Sequence, residues 1–184
     1  MIITAGSLKS KKIYSIKNRV LRPTLNKIRQ AIFNILLHSL ELDKWKKESY
    51  MLDAFAGTGI VSFEAISRGM FHSTLIEKDS VIYSVLQENI RNLSIDDNTN
   101  TINENFFNLK NLPHQYKLAF LDPPYNEGLL NASIELINDL KILKKKSLII
   151  CETKKSFQIK SEFNKYIKHE KCYGNTRLIF LTFN

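Results

Sequence analysis

No Asp or Glu occurs among the first 40 residues of this 184-residue chain, although eight basic residues do: Lys9, Lys11, Lys12, Lys17, Arg19, Arg22, Lys27 and Arg29. The rest of the chain is nearly balanced, with 19 basic and 18 acidic side chains, so most of the +9 net charge sits in that amino-terminal preface. Charge of one sign in one place predicts a phosphate footprint, for which Lys9, Lys11, Lys12, Arg19, Arg22 and Arg29 are the candidates. The competing reading is that lysines there only keep the protein soluble.

Other absences exclude whole classes. The two cysteines, Cys151 and Cys172, lack metal-ligand spacing and sit in strand-like runs, where they are expected to be reduced core or near-core thiols. His38, His72, His114 and His169 are scattered without ligand spacing or a paired nucleophile, so no metal site is expected. The apolar run Met1 to Ala5 is too short for a signal peptide or a membrane span. There is no internal repeat and no low-complexity linker.

What is present is a tetrapeptide, Asp122-Pro123-Pro124-Tyr125, directly behind the apolar run Leu118 to Leu121. Proline has no N–H for a sheet ladder and fixes φ, so a buried strand should end here with its carboxyl end turned outward. Open α/β sheets place ligands at such ends. The prolines hold Asp122 and Pro123 extended, which presents a carboxylate and main-chain carbonyls as fixed acceptors toward a planar amino group. Tyr125 offers a ring for a base to stack on.

A second signal lies upstream. Tyr50 to Ala54 reads as a strand breaking into the loop Phe55-Ala56-Gly57-Thr58-Gly59, followed by a helix from Ile60 to Arg68 with Gly69 after its end. The glycines let a ligand approach the backbone, as in a nucleotide-binding strand-loop-helix unit. A dinucleotide fingerprint would need a third glycine where Ser62 stands, and a phosphate-binding Gly-Lys-Ser/Thr is lacking, so NAD and ATP readings weaken. The next strand ends at Glu77, 24 positions after Asp53, where an acid can take both hydroxyls of a ribose.

The remaining punctuation predicts a hairpin of Ile2 to Ala5 with Lys12 to Ile16, joined around Gly6, and a helix capped by Thr24. Strands 50–54, 73–77, 100–103, 117–121 and 147–152 then alternate with helices 60–68, 79–93 and 127–141. Such alternation predicts an α/β fold with a parallel sheet covered on both faces. The tail pairs strand 166–173 with 178–183 across Gly174-Asn175. Lys144-Lys145-Lys146 reads as a solvated helix end. One domain is expected over 1–184, with a basic extension at 1–40 and a catalytic core at 41–184, too short to include a large target-recognition domain.

Five blocks together resemble one family: Arg22-Pro23-Thr24 through Leu36, Leu52-Asp53 through Gly69, Ile76 to Asp79, Phe120 to Tyr125, and the tail Tyr173-Gly174-Asn175-Thr176. The chain is similar over nearly its whole length to the bacterial 16S rRNA guanine-N2 methyltransferase family known as RsmD. The resemblance implies a doubly wound, seven-stranded Rossmann-like methyltransferase sheet, S-adenosylmethionine as donor, S-adenosylhomocysteine as product, and guanine 966 of 16S rRNA as target. It implies that Asp53, Phe55, Gly57, Gly59, Glu77, Lys78, Asn105 and Phe106 hold the donor and that Asp122, Pro123 and Tyr125 are catalytic. One departure stands out: Glu104-Asn105 occupies the place of the family's usual Gly-Asp pair, so that Asn105 would accept from the adenine amino group without the charge of an acid.

The reaction expected is in-line transfer to guanine N2, with Asp122 and the Pro123 carbonyl accepting from the amine. The partner implied is 16S rRNA, free or within a partly or fully assembled small subunit, in the cytoplasm, with no membrane and no obligate protein partner. A DNA adenine-N6 methyltransferase poses the same chemical problem to Asp-Pro-Pro-Tyr and is the alternative enzyme. A non-catalytic RNA-binding or ribosome-assembly module is the alternative outside enzymology.

Overall fold

A computed structural model describes residues 1–15, 26–39, 49–124 and 128–183. Tyr125, Arg19, Arg22 and Thr24 therefore lie outside the described residues, as do the preface's Lys17 and the end of the expected amino-terminal hairpin at Ile16. No helix among the described residues is long and apolar enough to cross a membrane.

The described helices are α1 (Asn26–Ser39), α2 (Ile60–Ser67), α3 (Ser80–Leu93) and α4 (Leu129–Asp139). The strands are β1 (Tyr50–Asp53), β2 (His72–Ile76), β3 (Thr99–Ile102), β4 (Tyr116–Leu121), β5 (Leu143–Lys154), β6 (Ile167–Tyr173) and β7 (Thr176–Phe183). They form one seven-stranded sheet in the order β3-β2-β1-β4-β5-β7-β6. The first five strands are parallel. Strand β7 inserts antiparallel between β5 and β6.

Parallel strands in this arrangement must be apolar on both faces, and β4 obeys, with five of its six residues buried. One core packs Leu118, Phe120 and Ile150 under α1, α2 and α3; the other packs Leu121, Ile149 and Cys151 under α4 and the turn around Phe163. Each fully buried Leu, Ile or Phe contributes roughly 1.5 to 3 kcal/mol. All eight residues of α2 are buried, because the sheet covers one side and the amino-terminal segment the other.

That segment departs from expectation in register. Ile2 bridges Lys12, and Ile3 and Ile13 exchange bonds with Lys11 and Met1, while residues beyond Ile3 leave the hairpin to cross the end of α2. The Ser7 amide donates to the Ser67 carbonyl at 2.8 Å and the Leu8 amide to Ser67 Oγ at 2.9 Å. The centre of the contact is Glu64, fully buried. Its carboxylate accepts from the Thr4 amide (2.8 Å), the Thr4 hydroxyl (2.6 Å), the Ala5 amide (3.1 Å), Arg68 Nε (2.9 Å) and Arg29 Nε (3.2 Å).

Two further expectations are corrected. Lys144-Lys145-Lys146 is not a helix end: it lies in the first part of β5, where the pairing jumps from Tyr116↔Leu143 to Leu118↔Leu148, and the extra residues bulge out of the ladder. Lys146 takes a positive φ of 55° there, and Lys117 Nζ donates to the Lys145 carbonyl at 3.0 Å. Cys151 is fully buried, as read, but Cys172 is exposed because β6 is the edge of the sheet.

Candidate active site

The carboxyl ends of β1, β2, β3 and β4 open on one cleft of ≈ 590 Å³. It lies where the strand order reverses between β1 and β4, the switch point at which such sheets bind ligands. After β1 come Ala54, Phe55 and Gly57; after β2, Glu77, Lys78 and Asp79; after β3, Glu104, Asn105, Phe106 and Phe107; after β4, Asp122, Pro123 and Pro124. Asn105, Phe106 and Glu77 thus meet Asp122 and Pro123 from remote parts of the sequence.

Glu77 organises this end of the sheet. Its Oε2 accepts from the Gly57 amide at 3.0 Å and its Oε1 from the Asp79 amide at 2.8 Å. A carboxylate has about four lone-pair sites, so two bonds leave acceptor capacity toward the cleft. The Asn103 side chain donates to the Glu77 carbonyl at 2.8 Å and fixes the strand end. Asp79 caps α3, accepting from the Val81 and Ile82 amides at 2.9 and 3.1 Å.

Across the cleft, Phe106 is buried and packs edge-on against Phe55, with centroids 5.8 Å apart, and Phe107 stands 5.7 Å from Phe106. Asn105 caps the short turn Phe106–Asn108 by accepting from the Phe107 amide at 3.2 Å. Glu104 accepts from the Asn105 amide and the Asn108 side chain, which hold its carboxyl below the usual range.

Two of the expected donor-holding residues stand behind the cleft and do not line it. Asp53 is 1% exposed, and its Oδ2 accepts from Ser62 Oγ at 2.9 Å, which in turn accepts from Ser73 Oγ at 2.8 Å. Burial pushes the Asp53 carboxyl up to about 7 against the pull of these bonds. The family resemblance implied a donor contact for Asp53, whereas its side chain ties the start of α2 to the sheet. Gly59 (φ 89°) is the residue before α2, and a Cβ there would come within 2.3 Å of the Phe63 ring. It serves close packing, while Gly57 (φ 55°) has nothing within 4 Å of a Cβ position and lines the cleft.

Among the lining residues given no role from the sequence are Asp79, Ile82 and Leu129. The first two could have been found, because an N-capping Asp places the residue three positions on in the same first helical turn.

On the preface, Lys9, Lys11 and Lys12 are exposed. Arg29 is a correction. It is fully buried, bonded through Nη2 to the Ile2 carbonyl (2.5 Å) and the Asn26 side chain (3.0 Å) and through Nε to Glu64, so it cannot meet a phosphate. Burial lowers its pKa, with Glu64 acting in the opposite direction.

A family model described as "Conserved hypothetical protein 95" matches residues 1–182. The ribosomal RNA small subunit methyltransferase D of Buchnera aphidicola subsp. Acyrthosiphon pisum is 40% identical over 162 residues, covering 85% of this chain and 80% of that protein. Among solved structures, the yhhF protein of Escherichia coli superposes with a TM-score of 0.80 at 26% identity, covering 99% of this chain and 97% of its own. An RNA methyltransferase from Salinibacter ruber, solved in complex with S-adenosyl-L-homocysteine, shares the fold with a TM-score of 0.61 at 12% identity, covering 83% and 90% of the two chains.

Proposed function

Because the chain belongs to the ribosomal RNA small subunit methyltransferase D family, RsmD, whose members are S-adenosylmethionine-dependent enzymes of rRNA methylation, we propose that it methylates the exocyclic N2 of one guanine, guanine 966, in 16S rRNA. The observation that carries this reading is the convergence of Glu77, Phe106 and Asp122-Pro123 on one cleft at the switch point of the sheet.

The residues present fit the donor. A cleft of this size lies in the range of small-molecule sites. Glu77 keeps acceptor capacity for two ribose hydroxyls, Ile82 and the Phe106 and Phe107 rings give apolar walls for an adenine, and Asn105 stands at its edge. A structural neighbour from Salinibacter ruber was solved with S-adenosyl-L-homocysteine on the same fold. When bound, S-adenosylmethionine supplies a methyl group on a cationic sulfur.

The chain's own work is done on the amine. The lone pair of guanine N2 is delocalised into the ring, so the amine must be oriented and its N–H groups accepted to raise electron density on nitrogen. The Asp122 carboxylate and the Pro123 carbonyl take that task at the end of β4, where the two prolines hold them extended. Tyr125, outside the described residues, is proposed to cover the base, and Lys9, Lys11 and Lys12, with Arg19 and Arg22, to meet rRNA phosphates in a small-subunit particle in the cytoplasm.

The test is cofactor binding by calorimetry followed by tritium transfer into small-subunit particles, naked rRNA and plasmid DNA. Label is expected in the small-subunit RNA, and Asp122→Ala should abolish it while cofactor affinity stays within roughly tenfold. Label in the DNA, or undiminished turnover by the variant, would overturn the reading.

A further inference from the structure

In-line transfer has a spatial requirement: the accepting nitrogen attacks opposite the leaving sulfur, so base and donor must reach the Asp122-Pro123-Pro124 segment from different sides. A second cleft, of ≈ 420 Å³, meets that requirement. Among the described residues, only Pro123 and Pro124 line both clefts. Its other walls are the start of α4 and the segment that follows β5, including Thr153, Phe157 and Gln158.

Given the methyltransferase reading above, on which it rests, we infer that this second cleft receives the target guanine nucleotide, with Phe157 as its stacking surface and Gln158 as a polar contact. Phe157 is half-buried, held at its base by the core and lining the cleft with the rest. Aromatic rings at such places bind bases through their faces.

The segment is anchored on three sides, as a wall for a ligand must be. The Lys155 amide donates to the Asn175 carbonyl at 2.8 Å, Arg177 Nη1 donates to the Phe157 carbonyl at 3.1 Å, and the Lys160 amide donates to Asn131 Oδ1 at 3.1 Å. Arg177 is itself fixed by Glu170, 2.5 Å from Nη2. The Tyr173-Gly174-Asn175-Thr176 tail thereby gains a purpose that its sequence did not disclose. It is the turn between β6 and β7, and its Asn175 carbonyl holds the Lys155 amide of the wall.

The test compares wild type with Phe157→Ala, Phe157→Tyr and Gln158→Ala, using S-adenosylmethionine in calorimetry and 16S rRNA-containing particles in single-turnover methyl transfer. Phe157→Ala should lower kcat/KM for the particle about tenfold or more, with cofactor affinity within twofold of wild type, and Phe157→Tyr should restore most of the loss. Gln158 is exposed, so Gln158→Ala tests the same wall without a packing cost and should raise KM for the particle. Wild-type kcat/KM in both alanine variants would overturn the base cleft while leaving the methyltransferase reading intact. Absence of transfer by the wild type to any rRNA would overturn both.

Discussion

Glu77 combines two duties: its carboxylate closes the Gly57 loop and the start of α3, and its spare acceptor capacity faces the cleft. Glu77→Ala should therefore weaken S-adenosylmethionine binding by about 1 to 3 kcal/mol in calorimetry, through lost charge-assisted bonds to the ribose. An unchanged dissociation constant would place the ribose elsewhere. Asp53 behaves differently although both are acids at strand ends. Its folded pKa, raised by burial to about 7 from 3.8, means that the folded state binds more protons than the unfolded one between those values. Stability should then fall as pH rises from about 4 to 7, by on the order of 4 kcal/mol. Asp53→Asn should flatten that limb in urea titrations across pH; an unaltered slope would refute the shift. At this scale Glu77 was legible because its spacing from Asp53 follows from the strand-loop-helix unit. Arg29 was not, because a count of basic residues does not distinguish an exposed guanidinium from one buried against an acid 35 positions away.

The amino-terminal segment is joined to α2 through the buried Glu64 carboxylate and through Ser67, among other contacts. Burial alone would raise the Glu64 pKa, but the Thr4 hydroxyl and amide, followed by Arg68, outweigh it and lower the value. The stability it contributes is present above the unfolded pKa and is lost as pH falls through the lower folded value. Glu64→Gln leaves Arg29 and Arg68 without their counter-charge and should cost about 3 to 5 kcal/mol in denaturant unfolding. A loss under 1 kcal/mol would show that Thr4 and the arginines find other partners. Among elements, β1, β2, β4 and α3 were legible from apolar runs bounded by turn residues. The first residues of β5 were not, since three consecutive lysines erase the apolar signal and the register shifts there between Tyr116 and Leu118.

Over the whole molecule, the parallel half of the sheet followed from strand and helix alternating in sequence, and the antiparallel tail from its turn. The meeting of the β5 wall with the second cleft did not, because contacts such as Arg177 to Phe157 depend on how β7 inserts, which no local pattern encodes. Charge is the other global property. Lys9, Lys11 and Lys12 project from the segment that Glu64 anchors, and replacing all three with Gln should flatten the plot of log RNA affinity against log salt by roughly 0.7 per lost phosphate contact on a single strand. Parallel lines for wild type and variant in a KCl series would show that these lysines only solvate the surface.

The insertion of β7 also fixes an order of events during synthesis. Among the described residues, strand β6 leaves the ribosome before β7 yet has no other neighbour in the sheet, while β5 presents Leu148 to Cys151 along an edge that β7 alone covers. The nascent chain thus carries one unpaired strand and one open apolar edge until residues 176–183 have emerged, the condition in which chains pair wrongly with one another. The wall at residues 155–157 waits on the same event, because the Asn175 carbonyl and the Arg177 guanidinium that fix it arrive with the last strand. The base cleft inferred above is therefore walled on that side only once β7 has paired with β5.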